Sequence, residues 1–333
     1  MRVGLSKLEA RVETATKQLA RLEGGTEKFG PMLTSVMREG IPLEVFTRMA
    51  LADSGYKVHG RYLYKFYNSD GWIERSVDVY ATQERTFTVP PDGGRQAGES
   101  WPERDHLLVE AKQRRNGVTW IFCHLPSSEK NHHFAPRDVP HVNFGYELRP
   151  GEHGPKPTGN TKDVENGLAQ LEYAYIPKMV DVHNQWKTDH QHLGPRVFRG
   201  NGVRRDSTWA LLVTNARLML FKPPATLAEL EQDPPPRDDR LFVEAPWLVY
   251  QSQPSLHLLG HQATHVGPLR GIPEGDDIVL PVLMADQSCQ VHIVNYNHLP
   301  RFLRLVEDPP RIKKIVVQLS VDGKESPPFK IEP

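Results

Sequence analysis

The chain of 333 residues is long enough to bury a full hydrophobic core, as one elaborated domain or as two ordinary ones. Basic and acidic residues number 41 each, so no overall field draws the protein to nucleic acid or to an anionic membrane, and any such contact must be a local patch. Two cysteines, no apolar run of the roughly 20 residues that span a bilayer, and a charged amino terminus predict a cytoplasmic protein without a membrane partner.

The first segment predicts a helix of about five turns, with Ser6 as its cap and Gly24 and Gly25 as its stop. Its apolar residues recur at helical spacing: Leu5, Leu8, Val12, Ala15, Leu19 and Leu22. Such a stripe needs a partner to be buried. Two partners are open, namely the rest of the same chain, or a second copy or another protein bound through this helix.

The next segment predicts a helix that begins at Pro42 and ends at Gly55. A period of two then predicts a hairpin, with strands at 56–67 and 72–82 joined by a turn at 68–71. Residues 84–105 carry prolines and glycines with little apolar patterning, so they are predicted to form an exposed loop.

A third strand is predicted at 106–113, followed by an insertion at 117–160 that begins with an apolar stretch and then becomes rich in His, Pro and Gly. Thr161 can cap a long helix that contains Pro177. The later predictions are a strand pair or run at 208–221, a break at 233–239, strands near 241–250, 277–285, 290–296 and 313–322, and a helix at 298–307.

This order of elements predicts an α/β fold with a mixed central sheet flanked by helices. Three regions follow from it: a helical extension at 1–40 with a dimer contact as one alternative, a core at 41–232 that carries the 117–160 insertion, and strands and a helix at 233–333 that complete or decorate the core.

Two of the predicted strands carry charged side chains that could form a reaction centre. Val77 and Val79 are predicted to face the core and Asp78 the opposite side, while Glu110 and Lys112 share one face of the third strand. If the two strands are neighbours, these charged groups converge. Two carboxylates and the backbone carbonyl of Ala111 are oxygen ligands of the kind that Mg²⁺ prefers, and Mn²⁺ can substitute. Lys112 would then orient a water molecule or neutralise developing charge.

The arrangement resembles the PD-(D/E)xK nucleases, the restriction-endonuclease-like superfamily, and in particular its Mrr-like branch. The resemblance covers roughly residues 40–120, with weaker similarity near 161–221 and 291–306. It rests on the helix that leads into the hairpin, Asp78 between two valines, the run from Glu110 to Gln113, and the later strand at 209–217. Val77 stands where the family motif has proline.

The resemblance implies that Asp78 and Glu110 hold the metal, that Lys112 is the catalytic lysine with Gln113 beside it, and that Glu44 is an auxiliary acid. It implies a Mg²⁺-dependent endonuclease that acts on DNA, with a prokaryotic restriction or defence role. Two alternatives stay open: an inactive nucleic-acid-binding or scaffold module that keeps the fold, and an effector that cuts RNA.

Basic and metal-ligating side chains give two weaker indications. Arg114, Arg115, Arg204 and Arg205 could bind nucleic-acid phosphates near the metal, with a solvated basic face as the alternative. A zinc site is conceivable in two groups: Cys123, His124, His132, His133 and His141, and then His183, His190 and His192. Neither group has the paired cysteine spacing of structural zinc sites, which favours ordinary loop and surface histidines.

Overall fold

The computed structural model describes the larger part of the chain. The described residues are 5–24, 35–36, 39–68, 71–88, 100–114, 117–124, 141–149, 156–157, 162–190, 205–221, 241–251, 290–307, 320–321 and 324–325.

Four α-helices and one 3-10 helix lie within the described residues. The α-helices are α1 (Leu5–Gly24), α2 (Ile41–Asp53), α3 (Lys162–His190) and α4 (Leu299–Glu307), and the 3-10 helix is Tyr296–His298. The strands are β1 (Lys57–Asn68), β2 (Gly71–Thr88), β3 (Ser100–Lys112), β4 (Thr119–His124), β5 (His141–Arg149), β6 (Lys156–Pro157), β7 (Arg205–Thr214), β8 (Arg217–Phe221), β9 (Phe242–Glu244), β10 (Trp247–Gln251), β11 (Gln290–Asn295), β12 (Ser320–Val321) and β13 (Lys324–Glu325).

Eleven strands form one mixed sheet in the order β1-β2-β3-β7-β11-β10-β5-β4-β8-β9, with β6 paired to β5. The hairpin of β1 and β2 and its neighbour β3 are antiparallel, whereas β3, β7 and β11 run parallel to one another. The predicted α/β fold with a mixed sheet is therefore confirmed. Strands from the 117–160 segment and from the region after residue 233 belong to this same sheet.

The sheet separates two hydrophobic cores, which we name by the helices that cover them. The α3-side core contains Leu108, Ala210 and Leu212 from the central strands, together with Leu171 and Ala174 of α3. The α1-side core contains the alternate strand residues and packs against α1, α2 and α4: Leu107, Val109, Leu211 and Val213. Central strands with both faces buried explain why these segments read as continuous apolar runs.

Helix α1 lies on its own chain. Leu8, Val12 and Leu19 are almost completely buried, and the helix contacts α2, α4 and the 3-10 helix. The Thr16 hydroxyl adds a hydrogen bond to the side chain of Asn297 in the 3-10 helix. The apolar stripe of α1 is therefore buried against the rest of the same chain. A dimer contact through α1 would have to use the polar faces of this helix.

The prediction of an exposed loop at 84–105 is wrong for much of its length. β2 continues to Thr88 and β3 starts at Ser100, with paired residues from Thr88 and Ser100 inwards. Arg85 lies within ion-pair distance of Glu103, at 3.1 Å, and of Asp105, at 3.3 Å. Polar side chains that are buried as ion pairs carry no apolar pattern, so hydrophobic periodicity could not predict this extension of the two strands.

The 117–160 insertion contributes β4, β5 and β6 to the sheet, although its apolar signal was confined to the first of them. The predicted break at 233–239 and strand at 277–285 lie outside the described residues, and so does most of the strand predicted at 313–322. In the regions that the structure describes, every helix is too short or too polar to cross a membrane.

Candidate metal centre

A β-bulge places Asp78 where β2 leaves its regular pairing. Gly60 pairs with Tyr80 and Tyr62 pairs with Val77, so two residues of β2, Asp78 and Val79, lie opposite the single residue Arg61. Bulges bend a strand and redirect a side chain, and they are common beside active sites. The local pairing thus turns Asp78 towards the next strand.

The bulge corrects the prediction that Val77 and Val79 face one core. Val77 packs in the α3-side core, whereas Val79 packs in the α1-side core. Strict alternation would put both valines on one face. The extra residue breaks this alternation, so Asp78 lies at the switch between the two faces.

Asp78 and Glu110 meet where the ladder between β2 and β3 ends. The last paired residues are Val79 and Val109. Beyond them, the Ala111 amide donates a 2.9 Å hydrogen bond to Oδ2 of Asp78, and the Asp78 amide donates a 3.4 Å bond to Oε2 of Glu110. Side-chain carboxylates therefore replace the backbone carbonyls that a regular ladder would supply.

Burial raises the pKa values of both carboxyl groups of the pair. Burial, followed by repulsion from Asp78, raises the pKa of Glu110 to about 7, although Lys112 acts in the opposite direction. Burial also raises the pKa of Asp78, with a further contribution from Glu44, while the hydrogen bond from Ala111 and the charges of Lys112 and Arg61 lower it. The nearby cations and hydrogen-bond donors therefore do not fully compensate for the burial of these two carboxylates.

Lys112 brings its ammonium group to this pair. Its Nζ lies 2.6 Å from Oε1 of Glu110 and 2.9 Å from Oε1 of Gln170 on α3. Gly167, one turn earlier on α3, lets the helix approach closely: a Cβ there would lie 3.1 Å from Cε of Lys112 and 2.8 Å from Cδ1 of Leu212. The side chain of Lys112 is thus held in one position.

Glu44 lies close enough to raise the pKa of Asp78, but arginines occupy its carboxylate. Arg48 Nη2 lies 2.6 Å from its Oε1 and Arg61 Nη2 lies 3.7 Å from its Oε2. Arg48 also donates to the backbone carbonyl of Asp78 at 2.8 Å. These contacts give Glu44 and Arg48 a role in holding the bulge in position against α2.

Gln113 acts at the start of α2. Its Oε1 accepts a 3.2 Å hydrogen bond from the amide of Leu43, which is one of the first helical amides without an intrahelical partner. Gly40, with a φ of 76°, precedes the helix and lies against Gln113, since a Cβ there would be 3.5 Å from that of Gln113. Gln113 therefore attaches α2 to the end of β3.

Of the four arginines predicted to bind phosphate, only Arg114 has a side chain that the structure describes. Arg114 Nη2 lies 2.6 Å from Oε1 of Glu147, and its side chain is only 14% exposed. Arg205 is the first residue of β7. Arg115 and Arg204 lie outside the described residues. The side chain of Arg114 thus belongs to a buried ion pair and not to an exposed basic surface.

Asp78 and Glu110 fit a magnesium ion as a partial ligand set. Among the described residues, no group of three or more His, Cys, Asp and Glu side chains is close enough to hold a metal, and this includes the described part of the two histidine groups. Mg²⁺ often takes only one or two carboxylates, together with water and substrate phosphate. Oδ1 of Asp78 accepts no hydrogen bond from any described residue, so it is a ready ligand atom. The Ala111 backbone borders the pair through its amide.

Three residues at the centre had no signal in the sequence. Gln170 and Gly167 are ordinary members of a long helix, and only the packing of α3 on β3 brings them to Lys112. Arg48 follows Glu44 by four residues, which predicts a helical ion pair but not the bond to Asp78.

Comparisons with known proteins identify no relative of this chain. No protein-family model matches the chain, and no match is found among curated proteins or solved structures.

Proposed function

We propose that the protein is a metal-dependent endonuclease that hydrolyses phosphodiester bonds, with DNA as its substrate. The observation that carries the proposal is the convergence of Asp78, Glu110 and Lys112 at the end of the β2 and β3 ladder. A half-buried acid, Asp78, and a buried one, Glu110, both with raised pKa values and with a lysine held beside them, support divalent-cation binding. The cation would offset the charge that the local donors leave uncompensated.

A bound Mg²⁺ would supply Lewis-acid polarisation of a phosphate oxygen and would lower the pKa of a water molecule. Asp78 and Glu110 would hold the cation, and the ammonium group of Lys112 would neutralise charge that develops on the phosphate. Gln170 keeps that ammonium group in place through its 2.9 Å bond. In the net reaction a water oxygen bonds to phosphorus as one ester oxygen leaves with its electron pair and takes up a proton.

The direct test is cleavage of supercoiled plasmid DNA by the full chain with Mg²⁺ or Mn²⁺. We expect cutting that stops with a chelator and falls by about 100-fold or more in Asp78→Asn and in Lys112→Met, because each change removes a charged group at the reacting phosphate. The matched control is Lys7→Met, which removes an exposed lysine of α1 and should leave the rate unchanged.

Folding of each variant is checked by circular dichroism and thermal unfolding, so that a lost fold is not read as lost chemistry. Parallel assays on single-stranded DNA and RNA separate a nuclease that acts on DNA from an effector that cuts RNA. Absence of metal-dependent cutting on every substrate by the folded wild-type chain would overturn the proposal and favour the inactive module.

A further inference from the structure

A second polar cluster surrounds a pocket that opens beside α3, on the same two strands as the acid pair. The pocket has a volume of about 470 Å³, and its lining includes Lys57, His59, Tyr80, Arg104, His106 and Gln185. This volume falls within the range of small-molecule sites, about 300–1,000 Å³. Leu108, which is fully buried under α3, lies between His106 and Glu110 on the strand. The pocket is therefore separate from the carboxylate pair.

Hydrogen bonds fix one wall of the pocket. The His59 ring stacks on Tyr80 with centroids 5.0 Å apart, and the Tyr80 hydroxyl lies 2.8 Å from Nδ1 of His106. Nε2 of His106 lies 3.1 Å from Oδ1 of Asp206. Because a carboxylate only accepts, Nε2 carries the proton, and in a neutral ring Nδ1 accepts from Tyr80. The wall is thus preorganised.

Each acid of the cluster already has a donor. Asp206 accepts from His106, Asp181 accepts a 2.7 Å bond from the Tyr62 hydroxyl, and Glu84 accepts a 2.9 Å bond from Nε of Arg104. Among the described residues, none of these carboxylates forms a direct ion pair with Lys57 or Lys178.

Two lysines of the cluster form no direct ion pair in the part of the chain that the structure describes. The charges of Asp181 and Asp206 act on Lys178, but burial outweighs them and lowers the pKa of Lys178. Lys178 is only 7% exposed, and its ammonium group lies over the ring of Tyr80, 3.9 Å from the centroid, and 5.1 Å from that of Tyr62. Lys57 is exposed at the pocket. Aromatic rings stabilise a buried ammonium group only in part, so an anion near Lys178 would lower its desolvation cost.

The electrostatics at His59 point to the same sign of ligand. Burial lowers the pKa of His59, and the charges of Lys57, Lys178 and Arg104 lower it further. No carboxylate of the described residues contributes in the opposite direction. Nε2 of His59 is engaged with Thr82 at 2.7 Å, which leaves Nδ1 for a ligand. Three cations thus act together on one side chain of the pocket wall.

We propose that this pocket binds the phosphate group of a ligand through Lys57 and His59, and that the positive charge of Lys178, which lies over the Tyr80 ring of the pocket wall, adds to the attraction. Phosphate is an anion that accepts several hydrogen bonds at once, which suits a site with two lysines and an imidazole. The phosphate can come from a phosphorylated small molecule or from a nucleic-acid strand. The proposal does not depend on metal-dependent cutting, because the pocket and the acid pair are distinct.

The test is calorimetric titration of the full chain with chelator present, so that no cleavage occurs. The probes are inorganic phosphate, adenosine monophosphate, adenosine and a short single-stranded oligonucleotide. We expect binding of the phosphorylated probes and none of adenosine. Binding of the monophosphate assigns a small molecule, whereas binding of the oligonucleotide alone assigns a nucleic-acid strand.

Two variants locate the bound phosphate. Lys57→Gln changes an exposed side chain, and Lys178→Met keeps the length of a buried one, so both should fold. Each should weaken binding by about tenfold or more, since each removes a positive charge that acts on the bound phosphate. Lys7→Met on α1 is the control and should bind as the wild type does. No binding of any phosphorylated probe, or binding that both pocket variants retain in full, would overturn the proposal.

Discussion

Two glutamates of the sheet are equally buried and yet have opposite electrostatics. Glu147 on β5 receives hydrogen bonds from Arg114 at 2.6 Å, Trp120 at 3.0 Å and Arg149 at 3.1 Å. Burial raises its pKa, but these donors outweigh burial and hold the pKa of Glu147 below its usual value. Glu110 on β3 has Lys112 and one long amide contact, and its pKa rises to about 7.

The comparison separates a glutamate that completes the fold from one that is available to a ligand. A buried carboxylate whose lone pairs are taken by three donors has no need of a cation. A buried carboxylate beside a second acid gains stability from any cation that enters. Burial alone does not distinguish Glu110 from Glu147. The feature that marks Glu110 as a candidate ligand is that its charge is incompletely compensated.

The largest effect is expected from Arg114→Met, which leaves the fully buried Glu147 without its closest cation. We predict a loss of about 3–5 kcal/mol in the free energy of unfolding, measured by urea denaturation, because the buried charge then keeps only Trp120 and Arg149 as donors. The control is Arg217→Met, which breaks an exposed ion pair with Glu244 and should cost less than about 1 kcal/mol. Equal losses in the two variants would remove the contrast between Glu147 and Glu110.

A smaller effect is expected from the titration of Glu110. Its pKa is about 7 in the folded chain and 4.5 as an ordinary value, so the folded state binds more protons between these pH values. The free energy of unfolding should therefore fall as pH rises from about 4.5 to about 7, by about 3 kcal/mol.

Glu110→Gln should lack this decrease when urea denaturation is measured across the same pH range. Glu9→Gln, which alters an exposed glutamate of α1, should keep it. A pH profile of Glu110→Gln that matches the wild type would contradict the raised pKa.

The smallest effect is expected at Gly167, where α3 approaches the acid pair. Gly167→Ala should cost about 1–2 kcal/mol of stability and lower the rate of cutting, because the new methyl group would overlap Leu212 and press on Lys112. Thermal unfolding and the plasmid assay measure the two quantities. Adding Leu212→Val removes the nearest atom and should restore part of the rate, and no recovery would place the cause elsewhere.

Much of the fold could be predicted from the sequence, because apolar periodicity marks β1, β2 and β3, the long helix α3 and the late helix α4. The same periodicity placed Asp78 and Glu110 on strands, and the condition that these strands be neighbours is met by the pairing of β2 with β3. The bulge at Asp78 could not be predicted, because it depends on how β2 pairs with Arg61 of another strand. Gln170 was missed for a related reason: its contact with Lys112 is made only when α3 packs on β3.

The misassigned parts share one physical cause. The outer half of β2 and β3 buries Arg85 with Glu103 and Asp105, and β5 buries Glu147 with Arg114. Prediction from hydrophobic periodicity assigns strands that are held by buried ion pairs as polar loops. The same effect made Arg114 look like a free phosphate-binding residue, although the fold uses it internally.

The end of the β2 and β3 ladder has a consequence for spectroscopy. The amide protons of Asp78 and Ala111 point to carboxylate oxygens, whereas the amides of a regular sheet point to carbonyls. Protonation of an acid, or a cation that draws its oxygens away, weakens these two bonds and leaves the rest of the sheet intact. Hydrogen exchange and nuclear magnetic resonance shifts at these two backbone positions therefore serve as built-in reporters of the charge state of the pair.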